Sequence, residues 1–273
     1  MAITDDEWNK YCARVTQMMT EHVAQFVTPL SMSEEFGSGT AWGTGTYIQG
    51  KDEVWILTAA HVITGVPANG RLAHLPEPGG DYNAALGKPA IAPLSIDAAA
   101  LPVFPDSAYM PKANRVVAMS SIASKYEAVD EELLFWTGFP GYTVDRNDPR
   151  LGDKLRVSMF EQLTTPAKPM LSQALDSNLI SASNFDANLH IGVHYPQAAI
   201  RATDGQTVAL PNAAGMSGSA LWDTKFIRCS LTQTPWFPEM AEICGVVWAV
   251  LDNPEVVFVT KIEHVRSGIP SVF

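Results

Sequence analysis

The segment Gly215–Gly218 reads Gly-Met-Ser-Gly and places Ser217 between two glycines, on a turn that leads into an apolar run. Far upstream, the apolar run Val54–Thr58 ends in Ala-Ala-His at His61. A serine hydroxyl is a poor nucleophile at neutral pH and needs a base to take its proton. Histidine suits that task because its ordinary pKa lies near neutral pH. A fold that uses both residues has to join two segments from different halves of the chain.

The glycines around Ser217 have a chemical use beyond making a turn. Attack on a carbonyl carbon creates an oxyanion, which requires fixed hydrogen-bond donors. Gly215 can adopt backbone angles that other residues avoid, so its N–H and that of Ser217 can point at one spot. Gly218 leaves room around the serine. Ser and Gly are also common in ordinary turns, so this motif alone does not decide between the two interpretations.

The runs Leu57–His61 and Gly215–Ser219 resemble two motifs of the trypsin-like (chymotrypsin-fold) serine peptidases, where the order is His, Asp, Ser. The resemblance covers about 230 residues, from about Gly37 to the C-terminus. It implies a serine endopeptidase that hydrolyses peptide bonds through a Ser-His-Asp triad and an acyl-enzyme intermediate. The expected substrate is a protein or peptide, and the implied chemistry uses no cofactor and no metal.

The resemblance also implies the third triad member. The family typically has Asp-x-Ala-x-Leu between the histidine and the serine, and the chain has this pattern from Asp97 to Leu101. An aspartate there holds the histidine tautomer and stabilises the imidazolium. Two rivals stay open. Asp106 lies in a turn-like Phe-Pro-Asp-Ser segment, and Asp130 lies in an acidic run.

The pattern from about residue 37 predicts an all-β fold. Short apolar runs are broken by Gly, Pro, Asn and Asp, without the spacing of β-α-β units, which favours antiparallel barrels. The resemblance selects two antiparallel six-stranded β-barrels, with an N-terminal α-helix and a short C-terminal helix. The predicted units are a helical extension (1–35), a first barrel (36–141) and a second barrel (142–273). The strand and turn at 133–141 resemble those that close the first barrel. Residues 142–154 would connect the barrels, and the catalytic cleft would lie between them.

The N-terminal segment predicts a helix over residues 5–26. Thr4 and Glu7 have the spacing of a capping box, and apolar residues recur at helical intervals. Pro29 is expected to end this helix. The helix either packs on the barrel or contacts a partner. Residues 261–266 predict the C-terminal helix.

The composition limits the kinds of partner that the protein is expected to bind and the cellular compartment in which it is expected. The 273 residues are 47% hydrophobic and carry a formal net charge of −11. That charge argues against binding nucleic acid or an anionic membrane. The acidic start has no apolar leader, and no apolar run is long enough to span a membrane. The three cysteines, Cys12, Cys229 and Cys244, do not form a disulfide framework. These features predict a cytoplasmic, prokaryotic member of the family.

The substrate pocket is only weakly defined by the sequence. The resemblance implies that Asn212 and Ala214 line one wall, and that Trp248 and Ala249 line the other. No acidic residue stands at the expected base of the pocket, which favours a small or apolar substrate side chain. Met216 stands where zymogen-activated relatives have an aspartate. A different means of ordering the turn is therefore expected, such as a regulatory protein partner.

Other sites and functions fit the sequence less well. His190 and His194 are four residues apart in a predicted strand, about 13 Å, too far to share one metal ion. A catalytically silent peptide-binding module on a protease fold is the main alternative function, because fold alone does not guarantee activity. An esterase or acyltransferase is a weaker alternative. α/β-Hydrolases use Gly-x-Ser-x-Gly and the order Ser, Asp, His.

Overall fold

Two antiparallel sheets form the framework of the protein. The computed structural model describes residues 4–33, 40–77, 83–85, 87–93, 95–104, 110–140, 167–210, 213–252 and 255–273. The predicted all-β class, with two antiparallel sheets in a chymotrypsin-like arrangement and few helices, is confirmed. Residues 142–154, expected to connect the barrels, lie outside the described residues.

Among the described residues, the first sheet has seven strands, in the order β5-β4-β1-β2-β3-β7-β6. Its strands are β1 (Val27–Ser33), β2 (Thr40–Gln49), β3 (Val54–Thr58), β4 (Arg71–His74), β5 (Asn83–Ala84), β6 (Ala90–Ile91) and β7 (Ala99–Pro102). Strand β3 is buried throughout and lies between β2 and β7. The sheet has one strand more than the expected six because β1, which lies in the segment predicted to be a helical extension, joins it.

The second sheet has six strands in the part of the chain that the structure describes, in the order β10-β15-β14-β13-β8-β9. Its strands are β8 (Leu133–Gly138), β9 (Lys168–Gln173), β10 (His190–His194), β13 (Ala220–Asp223), β14 (Glu242–Asp252) and β15 (Glu255–Lys261). Its two end strands meet at an antiparallel bridge between Ala174 and Val193, and the Leu175 N–H donates to the Gly192 carbonyl at 2.8 Å. The sheet therefore curls round on itself. A separate hairpin comprises β11 (Ala198–Ile200) and β12 (Thr207–Ala209).

Strand β8 belongs to the second sheet, which corrects the expectation that it closes the first barrel. It pairs with β13 on one side, where Trp136 faces Leu221, and with β9 on the other. All six of its residues are buried. Both edges of β8 are thus paired with strands from the second half of the chain, and both of its faces are buried.

The N-terminal helix α1 (Asp5–Val23) begins as predicted and ends earlier than predicted. The Thr4 hydroxyl accepts the Glu7 N–H, and the Glu7 carboxylate accepts the Thr4 N–H at 3.0 Å, so the predicted capping box is present. The helix ends at Val23, three residues before the predicted end. Pro29 lies in β1 opposite Thr44 rather than terminating the helix.

Helix α1 packs on the protein's own core. Val15, Met19 and Val23 are buried, and they share one hydrophobic cluster with Leu57 of the first sheet and Phe135 of the second. The buried face of α1 therefore packs on the sheets of this protein, which is the first of the two roles predicted for the helix. In the described part of the chain, three further α-helices are short: α2 (Ala60–Thr64), α3 (Phe226–Leu231) and α4 (Ile262–Gly268), the last close to its predicted position.

A buried polar cluster fastens the start of β1 to β4. The Arg115 guanidinium donates to the carbonyls of Gln25 at 2.9 Å, Val27 at 3.2 Å and Leu75 at 3.4 Å. Beside it, the Tyr47 hydroxyl and His74 Nδ1 are 2.7 Å apart. Burial and then the charge of Arg115 lower the pKa of His74 to about 4. A charged His74 would face Arg115 without water, so the neutral imidazole is favoured in the folded protein.

This cluster predicts a pH dependence of stability. The folded pKa of His74 lies below its ordinary value of 6.5, so the unfolded chain takes up the proton first as pH falls. The contribution of the neutral His74 to the free energy of unfolding is fully present above pH 6.5. It is lost as the pH falls towards 4, and the total loss is about 3 kcal/mol. Chemical denaturation of the native protein and of His74→Gln at several pH values measures it.

The difference between the unfolding free energies of the native protein and of His74→Gln isolates the contribution of His74. Burial raises the pKa of Asp223 to about 6, which changes stability in the opposite direction, but this contribution is common to both proteins. The native protein should lose stability relative to His74→Gln as pH falls from 6.5 to 4. Parallel pH profiles of the two proteins would contradict the burial of a neutral His74.

Candidate active site

His61 follows the end of a buried strand. Strand β3 is fully buried, and the small residues Ala59 and Ala60 are also buried, so the chain packs closely where it turns into helix α2. The Thr58 hydroxyl donates to the Thr44 carbonyl at 2.8 Å and ties the strand end to β2. The side chain of His61 is about half exposed, at 48%. The fold therefore holds the backbone of His61 rigidly and presents its ring to the surface.

Asp97 holds His61 at two points. One carboxylate oxygen accepts the backbone N–H of His61 at 2.9 Å, and the other lies 2.7 Å from the ring Nδ1. An ionised carboxylate only accepts hydrogen bonds, so Nδ1 carries the ring proton. The remaining nitrogen, Nε2, is then an acceptor. This is the tautomer that a general base needs.

Of the two alternative aspartates, Asp130 is among the described residues and Asp106 is not. Asp106 lies outside the described residues. Asp130 is exposed in the turn before β8, a strand of the second sheet, whereas His61 follows a strand of the first. Asp97 is the aspartate that the fold brings to His61.

In the turn around Ser217, Gly215 has the unusual backbone conformation that the motif predicts, and Gly218 has a similar one. Gly215 has φ +95° and Gly218 has φ +91°, a region that favours glycine. Between them, the buried Met216 donates its N–H to the Ala213 carbonyl at 2.9 Å. The Met216 carbonyl accepts both the N–H and the hydroxyl of Ser219, at 3.1 and 2.7 Å. These bonds make the turn rigid.

The same turn is bonded to the first sheet through Thr44. The Thr44 N–H donates to the Ser217 carbonyl at 2.9 Å, and its hydroxyl donates to the Gly215 carbonyl at 2.9 Å. That hydroxyl also accepts the Phe139 N–H at 3.0 Å. Thr44 was not among the residues singled out in the sequence. Its bond to Gly215 joins residues 171 positions apart, and no local pattern marks such a contact.

Gly218 packs directly against the strand end that carries His61. A Cβ atom at this position would lie 2.1 Å from the Thr44 carbonyl oxygen, 2.1 Å from the Thr58 hydroxyl and 3.1 Å from the Ala59 nitrogen. Only a glycine fits such a gap. The Ser217 turn therefore sits on the end of β3, two to three residues from His61.

Two backbone donors of the turn are left free. Within the described part of the chain, the N–H groups of Gly215 and Ser217 have no hydrogen-bond acceptor, whereas those of Met216, Gly218 and Ser219 do. Unpaired N–H groups two residues apart, on either side of Met216, could serve as the donors that an oxyanion hole requires. The Ser217 hydroxyl itself donates to the Trp248 carbonyl at 3.4 Å.

The expected pocket residues are only partly grouped. Trp248 and Ala249 are half-buried on β14, at a register irregularity between Val247 and Ala249, and Ala214 is exposed beside the Ser217 turn. The Trp248 ring packs on His190 and Phe258, with centroids 5.1 and 5.5 Å apart. Asn212 lies outside the described residues.

The structure also bears on the cysteines, on metal binding and on membrane-spanning helices. Cys229 and Cys244 are buried free thiols, and Cys12 is a partly buried one. Within the described ranges, no group of three or more His, Cys, Asp or Glu residues could hold a metal ion. No helix in the described part of the chain is long and apolar enough to cross a membrane.

Comparisons with known proteins relate the chain to others by fold alone. No protein-family model matches the sequence, and no curated protein matches it. The structure is similar to that of a serine endoprotease from Yersinia pestis, with 15% identity and a TM-score of 0.48, over 93% of this chain and 68% of that one. It is also similar to an inactive form of Rv3671c from M. tuberculosis H37Rv in which a serine is replaced by alanine. That match has 14% identity and a TM-score of 0.47, over 95% of this chain and 92% of that one. Neither identity is high enough to transfer a residue's role.

The packing of Gly218 predicts a large cost for one added methyl group. Gly218→Ala should lower the free energy of unfolding by about 2–5 kcal/mol, because it combines a positive φ with overlap against fixed backbone. Gly205→Ala is the matched control. Gly205 also has a positive φ, +70°, but a Cβ there meets nothing within 4 Å, so about 1 kcal/mol is expected. Equal losses in denaturant titrations would contradict the close contact of the turn with β3.

Proposed function

We propose that this protein is a serine endopeptidase that hydrolyses peptide bonds with Ser217 as nucleophile, His61 as general base and Asp97 as its orienting carboxylate. The observation that carries the proposal is the two-point contact of Asp97 with His61, at 2.9 and 2.7 Å. This contact orients Nε2 as a proton acceptor. It occurs at the strand end against which the Ser217 turn packs.

The proposed reaction follows from these positions. His61 Nε2 takes the hydroxyl proton as Ser217 Oγ attacks the substrate carbonyl carbon, and Asp97 stabilises the imidazolium. The imidazolium then protonates the leaving amine, and the C–N bond breaks to leave an acyl-enzyme. Water, deprotonated by His61 in turn, hydrolyses the ester and restores the Ser217 hydroxyl. The chemistry needs no metal or cofactor.

The free N–H groups of Gly215 and Ser217 are the proposed oxyanion hole. Donors that are fixed before the reaction stabilise the developing charge without reorganising. The glycine conformation at residue 215 and the Thr44 bonds to this turn support that assignment. They also offer a means of ordering the turn without the aspartate that Met216 replaces.

Substrate binding is proposed along the strand that carries Trp248. Strand β14 pairs with β13 up to Val246, and Val247 exchanges backbone hydrogen bonds with Gly218 and Ser219. From Trp248 onward it pairs with β15 alone among the described strands. An extended peptide can add to such an edge through main-chain hydrogen bonds. Ala214, Trp248 and Ala249, together with Asn212, are the proposed pocket residues, and they favour a small or apolar substrate side chain.

Control by a protein partner belongs to the same proposal. Helix α1 buries one face, but Tyr11 on its other face is 42% exposed and its ring contacts Phe226 of α3. Phe237, which follows Phe226 by 11 residues in the sequence, is 56% exposed. Exposed aromatic surface is typical of protein contacts. A cytoplasmic, prokaryotic setting stays a prediction from the sequence.

A catalytically silent peptide-binding module is the second candidate. The hydrogen bond from the Ser217 hydroxyl to the Trp248 carbonyl favours it, because a hydroxyl held there is directed to a carbonyl rather than to a base. The bond is long, at 3.4 Å, and rotation about one side-chain torsion breaks it. The first candidate therefore has the stronger support.

Labelling with a fluorophosphonate probe separates the two candidates. The native chain should be labelled, because the probe reacts with an activated serine, and Ser217→Ala should not be. Labelling of both proteins would place the reactive group elsewhere. A folded native chain that resists the probe yet binds peptides, and still binds them as Ser217→Ala, would favour the silent module.

Asp97→Asn tests the third member separately. Because an amide at residue 97 no longer favours the required tautomer, the rate of labelling and of peptide hydrolysis should fall by about four orders of magnitude. Circular dichroism should show an intact fold. Near-normal activity would contradict the role of Asp97 and turn attention to Asp106.

A further inference from the structure

The end of strand β8 meets the Ser217 turn through the hydroxyl group of Thr44. Phe139, the residue after β8, donates its N–H to that hydroxyl at 3.0 Å. The hydroxyl in turn donates to the Gly215 carbonyl at 2.9 Å. Among the described residues, neither the Phe139 N–H nor the Gly215 carbonyl has another hydrogen-bond partner. One side-chain oxygen therefore links the end of β8 to the turn.

The last residue of β8, Gly138, also lies directly against the turn. A Cβ atom there would be 2.5 Å from the Ser219 hydroxyl oxygen, 2.9 Å from the Thr44 hydroxyl oxygen and 3.3 Å from Met216 Cα. The Ser219 hydroxyl is bonded to the Met216 carbonyl at 2.7 Å. A displacement of the end of β8 would therefore reach both hydroxyl groups that bond the carbonyls of the turn.

The peptide unit between Gly215 and Met216 is held from both sides. The carbonyl and the N–H of one peptide unit lie in one plane. Thr44 holds the Gly215 carbonyl, and the Ala213 carbonyl accepts the Met216 N–H at 2.9 Å. This unit lies between the two units that carry the N–H groups of Gly215 and Ser217. Because it shares a Cα atom with each of them, its rotation would change the angle between the two proposed oxyanion donors.

We propose that Thr44 is a positioning residue of the oxyanion hole, which makes the direction of the two donors depend on the position of the β8 end. The Phe139 N–H fixes the Thr44 hydroxyl, and this hydroxyl fixes the Gly215 carbonyl. Thr44 acts through the turn and not on the substrate. The inference rests on the proposed peptidase function for its catalytic consequence, whereas its geometric consequence can be measured without activity.

Three substitutions isolate the Thr44 hydroxyl. Thr44→Val removes it and keeps a branched side chain, and Thr44→Ser keeps it. Thr28→Val is the matched control, because Thr28 is a buried threonine on the neighbouring strand β1. Its hydroxyl also accepts an N–H and donates to a carbonyl, at 2.9 and 3.3 Å, but both groups belong to Leu75 and not to the turn.

The rate of fluorophosphonate labelling should fall about 10- to 100-fold in Thr44→Val, because a displaced donor stabilises the developing oxyanion less well. Thr44→Ser and Thr28→Val should react at close to the native rate. With a peptide that the native chain hydrolyses, the loss in Thr44→Val should appear in kcat rather than in KM, because the oxyanion donors act on charge that develops in the transition state.

Amide hydrogen exchange at Met216 gives a readout that needs no activity. The Met216 N–H belongs to the peptide unit whose carbonyl Thr44 holds, but its own acceptor is Ala213. Exchange at Met216 should be faster in Thr44→Val than in the native protein, and unchanged in Thr44→Ser and Thr28→Val. A merely structural loss of stability would also accelerate exchange at the buried amides of β15, which should stay slow.

The outcomes distinguish this inference from the proposed function. A native chain that is not labelled counts against the peptidase, and exchange at Met216 still tests Thr44. If the native chain is labelled, native labelling and native Met216 exchange in Thr44→Val overturn the role of Thr44 alone. An equal loss of rate in Thr28→Val does so too. If thermal melting shows that Thr44→Val does not fold, Thr44→Ala replaces it, because alanine lacks the hydroxyl and is smaller than valine. The same outcomes then apply.

Discussion

The attachment of the Ser217 turn to the end of β3 determines how the two halves of the site meet. Ser217 belongs to the second half of the chain, and His61 and Asp97 to the first. Thr44 bonds the carbonyls of Gly215 and Ser217, and the missing side chain of Gly218 allows the turn to lie against Thr58. These contacts leave little freedom for one sheet to slide on the other at this point. The backbones that carry the proposed nucleophile and base are therefore fixed relative to each other before reaction.

The same attachment decides which polar groups of the turn are available for chemistry. The carbonyls of Gly215, Met216 and Ser217 all accept hydrogen bonds from the protein. Of the five N–H groups from Gly215 to Ser219, those of Gly215 and Ser217 have no acceptor among the described residues. The bonds on the carbonyl side thus orient the peptide units, and the unpaired donors are the result. Preorganised donors of this kind supply a large part of the rate in acyl transfer.

The parts of the fold and site that could be predicted depend on local chemistry. The capping box at Thr4, the positive φ of Gly215 and the buried strand before His61 each need only neighbouring residues. The parts that could not be predicted depend on distant partners. Strand β8 is apolar on both faces, and nothing in its own sequence says which sheet it enters. The contact of Thr44 with Gly215 joins residues 171 positions apart. Such pairs leave no periodic pattern in one sequence.

A crystal structure of the protein after reaction with a fluorophosphonate tests this arrangement most directly. The proposed function predicts a covalent bond from Ser217 Oγ to phosphorus, with the phosphoryl oxygen within hydrogen-bond distance of the Gly215 and Ser217 nitrogens. His61 should remain bonded to Asp97 through Nδ1. A probe attached to another residue, or a phosphoryl oxygen directed away from both nitrogens, would contradict it.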